Sequence, residues 1–231
     1  MTEAVLSCRG LTRTYTNGGG VVNAVTEIDL DMRKSEFIAI VGPSGSGKTT
    51  LLSMLGGLEK PSSGEMFVDG EPVNTKFRDL SDYRREQVGF VFQSYNLVPF
   101  LTARENLTIM SSIARLDRAT IERRADLLLD ELGLAERRGN LPEQLSGGER
   151  QRVAIGRALI TDPALILVDE PTASLDTQLG TQVVELLADE IKKRDKSGIM
   201  VTHDARMVRF TDRTLAILDG VVTETSPAGS R

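Results

Sequence analysis

The octapeptide GPSGSGKT, Gly42 to Thr49, constrains this chain more than any other stretch, because it sits between an apolar run and a helical pattern. Phe37, Ile38, Ala39, Ile40 and Val41 ahead of it suit a buried strand, and Thr50, Leu51, Leu52 and Leu55 behind it begin a helix. A glycine-rich surface turn could match the pattern by chance, but strand, loop and helix stand here in the order that the G-x-x-x-x-G-K-[ST] pattern requires. Glycines let backbone N–H groups wrap an anion at close range, and the following helix points its N-terminus at the same anion. In that setting the Lys48 ammonium reaches the β- and γ-phosphates of a nucleotide, and the Thr49 hydroxyl ligates the Mg²⁺ that bridges them. The candidate ATP-binding residues of this stretch are Gly42, Pro43, Ser44, Gly45, Ser46, Gly47, Lys48, Thr49 and Thr50.

A Mg²⁺-nucleotide also needs a carboxylate near the metal and a group that orients the attacking water. Leu165-Ile166-Leu167-Val168 ends in Asp169-Glu170, which supplies both. The apolar run puts the carboxylates at the C-terminal end of a strand, where open α/β sheets bind ligands. Asp169 is the metal-side candidate and Glu170 the water-activating base. Alone, such a pair would read as a surface cap on a strand; the intact phosphate loop changes that reading.

LSGGERQR, Leu145 to Arg152, lies between these two motifs and precedes a stretch in which Val153, Ile155, Ala158 and Leu159 are apolar. Ser146-Gly147-Gly148 thus opens a second helix N-terminus able to bind an anion. Glu149 also fits an ordinary capping box with Ser146 as N-cap, and the two roles are compatible. Composition and periodicity leave open whether this second phosphate binder meets its own molecule's nucleotide or another's.

Gly42 to Thr49, Gln93, Leu145 to Gln151, Leu165 to Glu170, Ser174-Leu175-Asp176 and His203 together resemble an ATP-binding-cassette ATPase, in order and approximate spacing, along nearly the whole chain. The resemblance implies that two copies close head-to-tail on ATP, Ser146, Gly147 and Gly148 of each capping the γ-phosphate held by the other. It implies that Tyr15 stacks on adenine, although a Tyr near a strand end also packs. Gln93 would reach Mg²⁺ and the attacking water, joining Thr49 and Asp169 as the metal set. His203, the only histidine, would be a switch residue on the γ-phosphate, on a strand beside the one ending at Glu170. Asp176 would signal between subunits, or else simply cap a helix before Leu179 and Val183.

The same resemblance narrows to the lipoprotein-release and macrolide-export type, with one departure: Ala173-Ser174 stands where that group usually has Gly-Asn before Leu-Asp. It implies a separate transmembrane permease, a place at the cytoplasmic side of the membrane, and export or extraction of a cargo that the ATPase itself does not select. A mechanical regulator of a cell-wall process would have much the same ATPase sequence. A soluble ATPase of DNA repair or translation would usually bring two cassettes or long insertions.

Composition bears on partners and size. With 231 residues, 40% of them hydrophobic, the chain can bury the core of one large domain. A net charge of −5 argues against a broadly nucleic-acid-binding surface. Arg84-Arg85, Arg123-Arg124 and Arg137-Arg138 read as solvated helix faces or ion-pair partners. No apolar run approaches the roughly 20 residues of a membrane span, and no signal-peptide pattern opens the chain. Cys8 alone cannot form an internal disulfide and reads as a structural strand residue.

Periodicity completes the expectation of an α/β, P-loop NTPase core with a mainly parallel sheet, an N-terminal antiparallel β-layer and a helical signature lobe. Ile28, Leu30 and Met32 alternate with Asp29 and Asp31 as in a half-buried strand. Runs at Phe37, Phe90, Leu165, Ile199 and Leu215 alternate with helical stretches. Ile121, Ala125, Leu128, Leu129 and Leu132 recur at helical spacing up to Gly133. The whole chain, 1–231, is read as a single domain, its helical lobe spanning approximately 94–158. The apolar segment Gly89 to Leu107 either forms a docking groove or seals that lobe. TNGGG suggests a hairpin tip, and the final GVVTETSPAGSR has the composition of a frayed tail.

Overall fold

The computed structural model describes residues 4–17, 20–114 and 116–225. In chain order the elements are β1 (Ala4–Asn17), β2 (Gly20–Arg33), β3 (Phe37–Val41), α1 (Lys48–Leu55), β4 (Ser63–Val68), β5 (Glu71–Pro72), α2 (Val73–Lys76), α3 (Leu80–Gln87) and β6 (Val88–Val91). Then follow α4 (Ala103–Thr108), α5 (Met110–Ala114), α6 (Arg118–Glu131), α7 (Gly147–Leu159), β7 (Leu165–Asp169), α8 (Thr177–Lys193), β8 (Ser197–Thr202), β9 (Arg213–Leu218) and β10 (Val221–Thr225).

Two sheets result. One is antiparallel, in the order β2-β1-β4-β5; the other runs β10-β9-β3-β8-β7-β6 and is parallel except at β10. The parallel strands read as continuous apolar runs because both of their faces are covered. Ile38 and Ile40 of β3 join a core with α1 and the antiparallel layer, whereas Phe37 and Ala39 join a second core with α6, α7 and α8. Leu165 and Leu167 against Ile166 and Val168 divide in the same way along β7. In β2, by contrast, Ile28, Leu30 and Met32 are buried while Asp29 and Asp31 are exposed, the alternation of a one-sided sheet. Cys8 is buried in β1.

The helices follow their apolar stripes and caps. Ile121, Ala125, Leu128 and Leu129 are the buried face of α6, Asp117 caps its start, and Gly133 (φ 67°) turns the chain just past its end. Asn17 pairs with Gly20 across the β1–β2 hairpin; Gly18 and Gly19 at its tip lie outside the described residues, as do residues 226–231.

The frayed-tail expectation needs correction for its first half. Val221–Thr225 forms β10, antiparallel to β9. Asp219 (φ 49°) and Gly220 (φ 79°) supply the two left-handed residues of a tight hairpin turn, and a Val222 that packs on the core fixes the register.

Candidate nucleotide site

Four neighbouring strands deliver the candidate residues to one edge of the sheet. In the order β3-β8-β7-β6, the strands run parallel, so the glycine loop, His203, Asp169-Glu170 and Gln93 all leave their C-terminal ends together. Gln93, Glu170 and His203 line a cleft of about 520 Å³ with Ala24, Ser44, Gly45, Gly47, Lys48, Thr49 and Thr50.

The glycine loop is held from two sides. Gly47 takes φ 100°, and a Cβ there would lie 2.2 Å from the Ala24 carbonyl oxygen, so only glycine lets the loop press on β2. Ser46 is buried; its backbone N–H donates to Pro43 O at 3.2 Å and its carbonyl accepts from Gly220 N at 3.0 Å. Gly220 O in turn accepts from Thr26 N at 2.8 Å. The β9–β10 hairpin is therefore a strut between the antiparallel layer and the loop. Lys48 folds back, its Nζ donating to Gly42 O at 2.9 Å and Pro43 O at 2.8 Å.

Thr49 Oγ1 lies 3.3 Å from Asp169 Oδ1. Two cis ligands of an octahedral Mg²⁺ stand about 3 Å apart, so this hydroxyl and carboxylate fit the ion, with Gln93 on the same cleft wall. Burial pushes the Asp169 carboxyl above the usual range; the Thr49 hydroxyl pulls it down, the Glu170 charge pushes it up again, and Lys48 opposes.

Glu170 sits just past β7 with φ 46°, a left-handed backbone uncommon for a side chain of its length, and its N–H donates to Val201 O at 3.0 Å. The turn aims the carboxylate at His203: Oε2 is 2.8 Å from Nδ1 and 3.3 Å from the His203 backbone N–H. The histidine is exposed to the cleft while the glutamate is largely covered. A carboxylate fixed in this way can take a proton from water, and the imidazole beside it can orient it.

Other expected residues lie outside the cleft. Tyr15 donates from its hydroxyl to Glu59 Oε2 at 2.6 Å, and Arg13 lies 4.7 Å over its ring; it does not line the cleft. Ser146 caps α7, its Oγ accepting from Glu149 N at 3.2 Å while Glu149 Oε2 accepts from Ser146 N at 2.7 Å. Those bonds, and Arg137 at 3.0 Å, hold the Glu149 carboxyl below its usual range. Ser146, Gly147 and Gly148 are also absent from the cleft wall. A Cβ on Gly147 would lie 2.9 Å from Leu175 Cδ2 and 3.4 Å from Tyr95 Oη, so the signature abuts the segments that follow Glu170 and Gln93. Asp176 caps α8, accepting from Gln178 N and Leu179 N at 3.0 Å each.

Two residues that sequence reasoning passed over belong to this machinery. Gly220 had a signal, the Asp-Gly turn. Arg157 had none: it donates to Asn96 O at 2.5 Å and Tyr95 O at 2.8 Å, fastening to α7 the two left-handed residues (φ 50° and 58°) just after Gln93.

Comparison with known proteins identifies the family and agrees with the fold. The family profile described as ABC transporter matches residues 25–173. A putative hemin import ATP-binding protein, HrtA, of Staphylococcus haemolyticus (strain JCSC1435) is 43% identical over 217 residues, which cover 94% of this chain and 98% of that protein. The macrolide export ATP-binding/permease protein MacB of Agrobacterium fabrum (strain C58 / ATCC 33970) is 41% identical over 223 residues, 96% of this chain but 34% of that longer protein. Among solved structures, the dimeric bacterial ABC transporter cassette MJ0796 superposes with a TM-score of 0.84 at 36% identity, covering 95% of this chain and 98% of the other. A dimeric post-hydrolysis state of MJ0796 bound to ADP and Pi gives 0.83 at 37% identity, with the same coverages. Among the described residues no helix is long and apolar enough to cross a membrane.

Proposed function

We propose a transport function on the premise that the chain belongs to the ABC transporter family, as one of its ATPases. Its hydrolysis of ATP drives a separate membrane-spanning permease that exports or extracts a substrate. The chain is one ATPase domain, 1–231, with a helical lobe over approximately 94–158, and it sits at the cytoplasmic side of the membrane through the permease. The apolar segment Gly89 to Leu107 supplies the docking groove. Nucleic acid is not a partner on this reading. The names of relatives divide between hemin import and macrolide export, which fits a motor whose cargo and direction are set by its partner; the subgroup motifs favour export.

Within the site, Lys48 leaves the Gly42 and Pro43 carbonyls for the β- and γ-phosphates, which the loop from Gly42 to Thr50 cradles. Thr49, Asp169 and Gln93 hold Mg²⁺, which when bound offsets the charge on the phosphates. Glu170 accepts the proton of the attacking water, and His203 steadies that carboxylate and contacts the γ-phosphate. Tyr15 stacks on adenine with the ring face that Arg13 leaves open.

The observation that carries this reading is that Ser146, Gly147 and Gly148 form a capped helix N-terminus that does not line the cleft of their own chain. A phosphate binder so placed suits a second copy's ATP, closed head-to-tail, with Asp176 relaying between subunits. The test is to purify Glu170→Gln protein with its native membrane fraction in mild detergent and Mg-ATP, and to identify copurifying chains by mass spectrometry. A multi-span membrane protein is expected; ribosomal or nucleic-acid-binding partners alone would overturn the transport reading.

A further inference from the structure

The His203 ring is exposed, and its one polar side-chain contact among the described residues is Glu170 Oε2 at 2.8 Å. A ring held at a single edge takes its direction from the backbone beneath it, so the anchoring of that backbone matters. The chain leaves β8 through His203 and enters a short 3-10 helix, Ala205–Phe210, capped by Asp204, whose carboxylate accepts from Arg206 N at 3.0 Å. Asp204 N donates to Thr202 Oγ1 at 3.0 Å. The Arg206 guanidinium closes back over the same carboxylate, with Nε 2.9 Å from Oδ1 and Nη2 2.7 Å from Oδ2. Its third nitrogen, Nη1, donates to Thr177 Oγ1 at 3.2 Å, on the first residue of α8. One side chain thus ties the residue after His203 to the start of a neighbouring helix.

Arg206 is exposed, and an exposed ion pair adds little to stability. A two-bonded fork does fix direction. The guanidinium also holds the Asp204 carboxyl below its usual range against the cost of its burial, which offsets a negative charge one residue from the histidine.

We infer that Arg206 is a positioning residue: through Asp204 and Thr177 it pins the turn that aims the His203 ring at the Glu170 carboxylate. The inference rests on the role given to His203 above and adds the residue that sets its geometry.

The experiment uses the fact that His203 is the only histidine. In tag-free chain labelled with ¹³C,¹⁵N-histidine, the ring gives one set of NMR resonances, and Glu170→Ala marks where they lie once the contact is lost. Arg206→Ala should move them toward those positions, with Tm within about 2 °C of wild type. Steady-state phosphate release from Mg-ATP should show kcat down about tenfold or more and KM changed less than about twofold. Thr177→Val should move both readouts the same way, and adding it to Arg206→Ala should do little more, because both act through one contact. Wild-type resonances in Arg206→Ala, or a loss of turnover that comes with a Tm fall of more than about 5 °C, overturn the positioning role. Wild-type turnover by His203→Ala removes the histidine from the proposed reaction, and this inference falls with it; the resonances still report whether Arg206 sets the ring.

Discussion

Asp169 ends β7 half-buried beside Glu170, in surroundings that disfavour its charged form until a cation is present. Its pKa is raised on folding, so the folded chain holds that proton more tightly than the unfolded chain. Stability therefore falls as pH climbs from the ordinary Asp value of about 3.9 through the raised one, and the penalty is complete above the raised value. Asp169→Asn removes the charge and keeps an acceptor for Thr49. By differential scanning fluorimetry the nucleotide-free variant should melt about 1–4 °C higher, while phosphate release is lost; an unchanged or lower Tm would mean that Thr49 and Lys48 already balance the charge. Glu170→Gln tests the other carboxylate. It preserves shape, so ATP binding should persist while steady-state turnover falls about 100-fold or more, and unchanged hydrolysis would remove the base assignment. Both carboxylates could be read from the sequence because an unbroken apolar strand ends on them. Tyr15 shows the limit: its pairing with Glu59, 44 residues away, and with Arg13 is tertiary and leaves no local pattern.

Secondary elements with their own punctuation were the legible ones. Helix α6 runs from an Asp cap to a glycine at its C-terminal end, and β3, β7 and β8 are unbroken apolar runs because both faces are covered. The hairpin β9–β10 was missed since the Ser, Pro and Gly content of the last residues outweighed the Asp219-Gly220 turn ahead of them, yet this hairpin braces Ser46 of the phosphate loop. Helix α7 was read as both capped and anion-binding, and these roles can be separated. Ser146→Ala removes the Oγ acceptor for Glu149 N, and should lower stability by about 1 kcal/mol, or roughly 2–4 °C in Tm. Ser146→Asp restores an equally good cap but places a negative charge where a phosphate is to be met. Its Tm should return to the wild-type value while ATP-dependent dimerisation, read by light scattering in the Glu170→Gln background, is lost. A variant that regains both would reduce Ser146 to a cap alone.

At the scale of the whole molecule, one chain holds the glycine loop at one place and the capped N-terminus of α7, the proposed second phosphate binder, at another, and the two do not share a cleft. If they serve one ATP each within a twofold dimer, every complete site is built from both chains, the loop from one and the signature from the other. Lys48→Ala destroys the loop half and Ser146→Arg the signature half. Homodimers of either variant then contain no complete site and should hydrolyse ATP at background. Mixing them in equal amounts pairs an intact loop with an intact signature in each heterodimer, once. Random pairing makes half of the dimers heterodimers with one of two sites complete, so the mixture should recover roughly one quarter of wild-type phosphate release if the sites act independently. Were the signature to act on its own chain's nucleotide, each variant would carry its defect unaided, and no mixing ratio would raise the rate above that of the separate proteins.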